Sequence, residues 1–233
     1  MKPSLLVFCA AAALAQDRAY VRIPAGSFQP VGAGGRSADV AQPFLMSRTE
    51  VTYGQFQRFV SATGYITYGE RPDRAPGWQN HTWRAPGFPS EPRQPVVWVT
   101  AADAEAYCRW DGGRLPTEIE WEHASRAGSA APHHFGKSLD PRYVWYRENS
   151  QGRLPRAGTR RPNAWGLHDM EGSVWELVLL NEKTPVLRGG SWMNCPAISP
   201  WAQDKPIYRR PLTGAPNHRD NDIGFRCVRE ALR

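Results

Sequence analysis

The segment Asn163-Ala-Trp-Gly-Leu-His-Asp-Met-Glu-Gly-Ser-Val-Trp-Glu176 decides the fold, together with Leu187-Arg-Gly-Gly-Ser-Trp192 shortly after it. Both segments mix aromatic residues, glycines and charged residues in an order too irregular for an ordinary core strand. Asp169 and Glu176 flank Gly172, which permits a tight turn. Carboxylates and backbone carbonyls around such a turn are the hard oxygen ligands that Ca²⁺ prefers. The residues alone leave two alternatives, a calcium site or a solvated acidic turn.

The composition indicates a loop-rich protein. The 233 residues include 21 Gly, 21 Pro and 10 Trp, which favours irregular structure over a helical bundle. Residues 16–233 are long enough for one sizeable core, so we predict a single domain there. Lys2 precedes an apolar run that ends in Ala13-Leu-Ala15, which is typical of a secretory signal peptide over residues 1–15. We therefore expect an exported protein, periplasmic or secreted, without a membrane span.

Charge and histidine content exclude few functions on their own. The formal net charge is +7, but the arginines are spread along the chain and form no basic helix. Solvated arginines scattered over the surface explain the positive charge better than binding to a polyanion does. We therefore predict no nucleic-acid partner. The adjacent residues His133 and His134 point apart on a strand or loop. The sequence therefore predicts a solvated pair there rather than a metal site.

Three helices and several short strands are predicted from local signals. Capping residues predict helices over Tyr53–Thr63, Ala101–Trp110 and Glu118–Ala127, each preceded by a threonine. Residue types and turn signals predict strands at the following places: Tyr20–Ile23, Phe44–Arg48, Ser173–Leu179, Val186–Arg188 and Gly224–Arg229. The long loops 71–93 and 194–222 lie between them. Loops of this length in a compact domain usually carry function or are held in place by a metal ion or a disulfide.

Two further motifs, Gly112-Gly-Arg-Leu-Pro-Thr-Glu-Ile-Glu-Trp121 and Ile223-Gly-Phe-Arg-Cys227, complete a recognisable set. As a set, the motifs resemble the formylglycine-generating enzyme family, also called sulfatase-modifying factors. The resemblance extends from Ile23 to Phe225. It implies an α+β fold of the C-type-lectin-like kind, loop-rich, with small twisted sheets and short helices.

The resemblance also implies a metal site. In this family the segment around Asp169 binds calcium through two side chains and two intervening carbonyls. Residue by residue, these ligands fall on Asp169, Gly172, Val174 and Glu176. The region upstream, residues 143–158, has no acidic loop that would match a second site. We therefore predict one calcium ion.

The cysteines separate into a predicted pair and an odd residue. Once the predicted signal peptide and its Cys9 are removed, Cys108, Cys195 and Cys227 remain, and counting leaves their pairing open. The resemblance implies a disulfide between Cys108 and Cys227, because Ala106-Tyr-Cys-Arg-Trp110 and Gly224-Phe-Arg-Cys227 match the family's two cysteine motifs. An oxidising compartment is consistent with such a bond. Cys195 is then a free thiol.

The catalytic motif of the family is incomplete. Formylglycine-generating enzymes hold Cu(I) with two cysteines spaced C-x₄-C just after Gly-Gly-Ser, since soft thiolates select Cu(I). Here Asn194 stands at the first cysteine position, Cys195 comes one residue late, and Ser199 stands at the second position. One thiolate cannot replace two. The sequence therefore predicts that Cu(I) is not bound and leaves Cys195 and Ser191 as the candidate catalytic residues.

Two functions follow from these expectations. We predict an exported sulfatase-modifying-factor-like protein without copper chemistry, acting as a calcium-stabilised binding or accessory module. Its partner would be an extended peptide, a sulfatase-like protein or a glycan, held in a cleft lined by aromatic residues and arginines. The alternative is an active oxidase that converts a sulfatase cysteine to formylglycine through Cys195. The resemblance further implies structural roles for Arg226, buried against carboxylates, and for Trp192 in the core.

Overall fold

A computed structural model describes residues 19–30, 35–73, 80–195, 209–212 and 217–231. The predicted signal peptide and Ser199 lie outside the described residues. The elements, in chain order, are β1 Tyr20–Ile23, β2 Gly26–Phe28, β3 Ala38–Val40, β4 Phe44–Ser47, α1 Tyr53–Thr63, a 3₁₀ turn Tyr68–Glu70, α2 Ala101–Trp110, α3 Glu118–Arg126, α4 Arg147–Ser150, β5 Trp175–Leu180, β6 Thr184–Arg188, β7 Arg209–Pro211, β8 Ile223–Gly224 and β9 Val228–Glu230.

The three main helices begin where local capping predicts. Helix α1 starts after Thr52, whose side chain accepts a hydrogen bond from the Gln55 amide while the Gln55 side chain accepts one from Thr52. Equivalent capping boxes begin α2 and α3. Helix α1 ends at Gly64 in the left-handed conformation, and α3 ends one residue earlier than predicted because Ala127 adopts that conformation.

The strands form two small sheets and a hairpin. One sheet has the order β1-β4-β9 with antiparallel pairs, and the other has the order β7-β6-β5-β8 with only β5 and β8 parallel. Strands β2 and β3 form a separate antiparallel hairpin that the sequence analysis did not predict. This mixture of short helices, small sheets and loops confirms the expected α+β class.

The predicted strand Gly224–Arg229 is wrong as one element, since the chain changes sheets within it. Its start, β8, pairs with β5, and its end, β9, pairs with β4. Between them the Phe225 carbonyl accepts a hydrogen bond from the Val51 amide, and the Cys227 carbonyl accepts one from the Ser47 amide. The C-terminal segment thus connects the two sheets.

A cluster of aromatic residues fills the core where α1 and α2 pack near this segment. Phe56 contacts the rings of Phe59, Trp83, Tyr107 and Phe225 at centroid distances of 5.1–6.3 Å. The disulfide between Cys108 and Cys227 lies beside this cluster and confirms the predicted pairing. No helix within the described residues has the length and apolar character needed to cross a membrane.

Candidate functional site

The double-glycine turn after β6 places the candidate catalytic residues. Gly189 and Gly190 both have left-handed φ values, 92° and 82°. A Cβ on Gly189 would lie 3.1 Å from the Met170 carbonyl oxygen and 3.2 Å from the Trp121 ring. Glycine is therefore needed there for close packing as well as for the backbone conformation. The turn brings Ser191 into the buried interior next to β5.

Asn194 stabilises this turn. Its side-chain oxygen accepts a hydrogen bond from the Ser191 amide at 2.6 Å, and its own amide donates to the Ser191 carbonyl at 3.0 Å. Its carbonyl accepts a hydrogen bond from the amide of Arg147, at the start of α4. Asn194 thus stands where a first copper-binding cysteine would be. It stabilises the turn through both its side chain and its backbone.

Cys195 faces a carboxylate. Its thiol donates to Glu148 Oε1 in α4 over a sulfur–oxygen distance of 2.7 Å, and the residue is partly exposed. It is the free cysteine of the described residues, because Cys108 and Cys227 are bonded to each other. The partner of this thiol is therefore a carboxylate and not a second thiol.

Ser191 is paired with a buried aspartate. Its hydroxyl donates to Asp222 Oδ2 at 2.6 Å, and both residues are buried. Burial raises the pKa of Asp222 to about 6, although the Ser191 hydrogen bond acts in the opposite direction. Trp192, next along the chain, is buried in an apolar cluster with Trp98 and Val174, as expected. Asp222 was not a sequence candidate, although it directly precedes the Ile223-Gly-Phe-Arg motif.

Arg226 lies in the interior against carboxylates, as predicted. It is completely buried and donates to both carboxylate oxygens of Glu176, at 2.6 and 2.7 Å. It also donates to the carbonyls of Ser47 and His168. Glu176 accepts a further hydrogen bond from the Trp121 indole at 2.8 Å. Both oxygens of Glu176 are therefore occupied by donors within the protein.

Two more buried carboxylates lie next to this pair. Asp169 is 3% exposed, and its Oδ2 accepts a hydrogen bond from the Gly158 amide, but its Oδ1 has no hydrogen-bond partner. Glu50, 1% exposed, has no hydrogen-bond partner on either oxygen. Burial raises the pKa of Asp169 to about 6 and the pKa of Glu50 well above its usual range, the latter also because Asp169 is close.

The four predicted calcium ligands are all buried, and their two carboxylates have different surroundings. Asp169 has a free buried oxygen, and Gly172 sits at a left-handed φ of 80° where a Cβ would strike the Trp145 carbonyl. Glu176, however, is neutralised by Arg226, and a second cation at that carboxylate would be repelled. Among the described residues no group of three or more His, Cys, Asp or Glu side chains is arranged around a common metal position. A site using two carboxylates and two carbonyls remains a prediction.

The predicted solvated histidine pair is wrong for His133. Its side chain is buried, its Nδ1 lies 2.6 Å from Glu171 Oε2, and its ring stacks on Phe135. The Glu171 carboxylate also accepts a weaker hydrogen bond from the His134 amide. Burial lowers the pKa of His134. Glu171 lies in the motif between Asp169 and Gly172, a partner that sequence spacing could not suggest.

A family model described as the sulfatase-modifying factor enzyme 1-like domain matches residues 9–231. The chain belongs to this family. The sulfatase-modifying factor relatives include a formylglycine-generating enzyme of Streptomyces coelicolor, 30% identical over 92% of this chain and 90% of that protein. They also include the mouse inactive C-alpha-formylglycine-generating enzyme 2, 28% identical over 94% of this chain and 88% of that protein.

Solved structures agree with this assignment. PvdO from Pseudomonas aeruginosa superposes with a TM-score of 0.68 and 29% identity, covering 91% of this chain and 94% of that one. This sulfatase-modifying factor homologue therefore has relatives named as enzymes and relatives named as inactive. Family membership alone does not decide its activity.

Proposed function

We propose that this protein is an exported sulfatase-modifying-factor-like module without copper oxidase chemistry, and that it acts by binding. The observation that carries the proposal is the pair of residues after the double-glycine turn. The side-chain oxygen of Asn194 accepts a hydrogen bond from the Ser191 amide in the turn, and the Cys195 thiol donates to Glu148. The donor set offers one thiol where Cu(I) would need two, so copper does not fit these residues.

The proposed ligand is an extended peptide, such as the segment of a sulfatase-like protein. A groove of about 520 Å³ lies between the β3–β4 connection, the start of α3 and the β5–β6 turn. Its lining includes five carboxylates and one arginine, so the groove is acidic: Asp39, Glu118, Glu120, Glu182 and Glu230, with Arg114. An acidic groove on a chain of net charge +7 favours a peptide with basic side chains.

Calcium and export complete the proposal. The free buried oxygen of Asp169 supports a bound Ca²⁺, which would stabilise the loop before β5. The disulfide between Cys108 and Cys227 supports an oxidising compartment, in line with the signal peptide expected from residues 1–15. When bound, the ion would supply fixed positive charge among buried carboxylates.

The experiment measures copper binding, oxygen uptake and aldehyde formation with a Cys-x-Pro-x-Arg peptide. We expect peptide binding by fluorescence anisotropy without Cu(I) binding and without turnover, while an active formylglycine-generating enzyme serves as the positive control. The double substitution Asn194→Cys/Ser199→Cys restores the C-x₄-C spacing and should gain Cu(I) affinity. Stoichiometric Cu(I) binding with aldehyde formation by the unmodified protein would contradict the proposal and favour the oxidase alternative. Absence of peptide binding would contradict the proposed ligand.

A further inference from the structure

The acidic groove between the β3–β4 connection, the start of α3 and the β5–β6 turn has an apolar floor. Val40 and Phe44 are buried there, and the partly exposed side chains of Ile119 and Leu180 pack against the same core cluster. The volume of about 520 Å³ is in the range typical of ligand sites. Apolar side chains of a ligand would therefore be removed from water on this floor.

Two of the five groove carboxylates are already paired with arginines. Glu118 accepts a hydrogen bond from Arg188 at 3.0 Å, and both oxygens of Glu120 accept hydrogen bonds from Arg114, at 2.6 and 2.7 Å. The charge of these two carboxylates is compensated within the protein. Neither is therefore the main partner of a cationic ligand.

The charge of the other three carboxylates is largely uncompensated. Asp39 and Glu182 are exposed and form no ion pair with any residue that the structure describes. Glu230 lies 3.6 Å from Arg114, whose guanidinium already binds Glu120, and the Glu230 side chain is 79% exposed. The three residues stand on β3, on the β5–β6 turn and on β9. A basic side chain bound in the groove would lie among three carboxylates from separate elements.

The backbone of Glu182 has an unfavourable conformation. Asn181 and Glu182 form the two-residue turn of the β5–β6 hairpin, and both have left-handed φ values, 49° and 61°. The turn is closed by a hydrogen bond from the Lys183 amide to the Leu180 carbonyl at 3.2 Å. Such turns favour asparagine followed by glycine, because a Cβ is disfavoured at the second position. Glycine would thus suit the turn better than Glu182, whose carboxylate forms no hydrogen bond within the described part of the chain.

The groove and the double-glycine turn lie at opposite ends of β6. The groove is at the Thr184 end, next to the β5–β6 turn, and Gly189 follows Arg188 at the other end. Four residue steps of about 3.3 Å place these ends about 13 Å apart. Of the described residues that line the groove, none belongs to the turn at 189–195. The groove is therefore a surface separate from the candidate catalytic residues.

We propose that the groove recognises a basic side chain of an extended peptide through Glu182, Asp39 and Glu230, while apolar neighbours of that side chain pack on Ile119 and Leu180. Side chains of an extended peptide alternate between two faces. Alternating apolar and basic residues therefore fit the floor on one face and reach the exposed carboxylates from the other. The inference rests on the proposed peptide ligand and specifies which of its side chains are recognised and by which residues.

The test measures the fluorescence anisotropy of a labelled peptide, Leu-Arg-Leu-Arg-Leu, with the full chain. A matched peptide with glutamine in place of both arginines keeps the apolar residues and removes the charges. We expect the arginine peptide to bind at least about tenfold more tightly than the glutamine peptide. Its affinity should fall as NaCl is raised from about 50 to about 300 mM, because exposed ion pairs are screened by salt.

Substitutions of the free carboxylates locate the binding. Glu182→Gln and Asp39→Asn should each bind the arginine peptide about three- to fivefold more weakly, and the double variant at least about tenfold more weakly. The matched control Glu91→Gln removes one exposed carboxylate outside the groove and changes the net charge equally. It should bind within about 1.5-fold of the unmodified protein. Because Asp39 and Glu182 lie on different elements, the result does not depend on the turn alone.

The variant Glu182→Gly separates recognition from a structural role. It removes the carboxylate and relieves the left-handed φ, so the protein should unfold at a higher temperature while peptide affinity falls as in Glu182→Gln. A residue that serves only the turn would not show this opposition. An unchanged peptide affinity in Glu182→Gly would overturn the role of Glu182.

Other results overturn the inference in recognisable ways. If the arginine peptide binds but the double variant binds it equally well, recognition lies elsewhere and the proposed function is intact. Equal binding of the arginine and glutamine peptides would overturn recognition of the basic side chain. A dimer seen by sedimentation velocity and dissociated by Glu182→Lys would place a second copy of the chain in the groove instead of a peptide. Absence of binding by either peptide and by the Cys-x-Pro-x-Arg peptide would overturn the proposed ligand as well, whereas the absence of copper chemistry is measured separately.

Discussion

Two arginine–glutamate pairs in this chain are both bidentate and differ in burial. Arg226 donates to both oxygens of Glu176 at 2.6 and 2.7 Å in the interior. Arg114 donates to both oxygens of Glu120 at 2.6 and 2.7 Å, but its side chain is 44% exposed. Substitution of each arginine by methionine therefore compares the loss of a buried ion pair, together with the carbonyl contacts of Arg226, with the loss of an exposed ion pair.

The expected losses in free energy of unfolding differ several-fold between the two variants. Arg226→Met leaves Glu176 buried and unpaired beside Glu50 and Asp169, and removal of one partner from a buried pair costs about 3–5 kcal/mol. Arg114→Met leaves Glu120 able to reach water and to keep its hydrogen bonds from Thr117, so the cost should stay below about 1 kcal/mol. Removal of both Arg226 and Glu176 as a pair should cost less than Arg226→Met alone, because the Glu176 carboxylate is then not left buried without its partner.

The assay is urea unfolding at pH 7.5 in the presence of a chelator, so that metal binding does not contribute. The unfolding midpoint should fall strongly for Arg226→Met and little for Arg114→Met, with similar m-values that make the midpoints comparable. Equal losses in the two variants, or a loss below about 1 kcal/mol for Arg226→Met, would refute the reasoning.

Three further predictions concern the disulfide, an aspartate and a glycine. Cys108→Ser removes a bond that closes a separation of 119 residues and should lower the free energy of unfolding by about 4–5 kcal/mol, with no further effect of reductant. Because the native pKa of Asp222, about 6, exceeds its unfolded value of 3.8, its ionisation destabilises the native state, and stability should rise as pH falls from about 7 to about 4. Asp222→Asn should weaken that rise by on the order of 3 kcal/mol; an unchanged pH profile would contradict this. Gly172→Ala should prevent normal folding because its Cβ meets a backbone carbonyl, whereas Gly152→Ala, at a φ of 68° with open space around it, should cost about 1–2 kcal/mol by thermal unfolding.

Local signals predicted the helices well because capping is decided within four residues. Thr52 with Gln55 and Thr117 with Glu120 form in the structure the contacts that their spacing implies. Strand pairing depends on distant partners, and for that reason the sequence did not reveal that the segment ending at Cys227 changes sheets. The disulfide was predictable only through the resemblance to a family, since three cysteines leave several pairings open.

In the candidate site, too, features set by neighbouring residues were predictable and contacts with distant residues were not. The absence of the first copper cysteine could be seen directly at Asn194 in the sequence, but the hydrogen bonds of Asn194 within the turn could not. Glu50 was missed because it lies far along the chain from Asp169, and nothing near it in sequence marks it as an unpaired buried carboxylate. Glu171 was missed as the partner of His133 for the same reason.

The C-terminal crossing between the two sheets has a consequence for synthesis. Phe225 of the aromatic cluster, Arg226 of the buried ion pair and Cys227 of the disulfide are consecutive residues near the end of the chain. A nascent polypeptide that still has these residues inside the ribosome lacks all three at once. Native structure can therefore form only after residues 225–227 have emerged, and a chain truncated ahead of Phe225 would be a substrate for proteolysis.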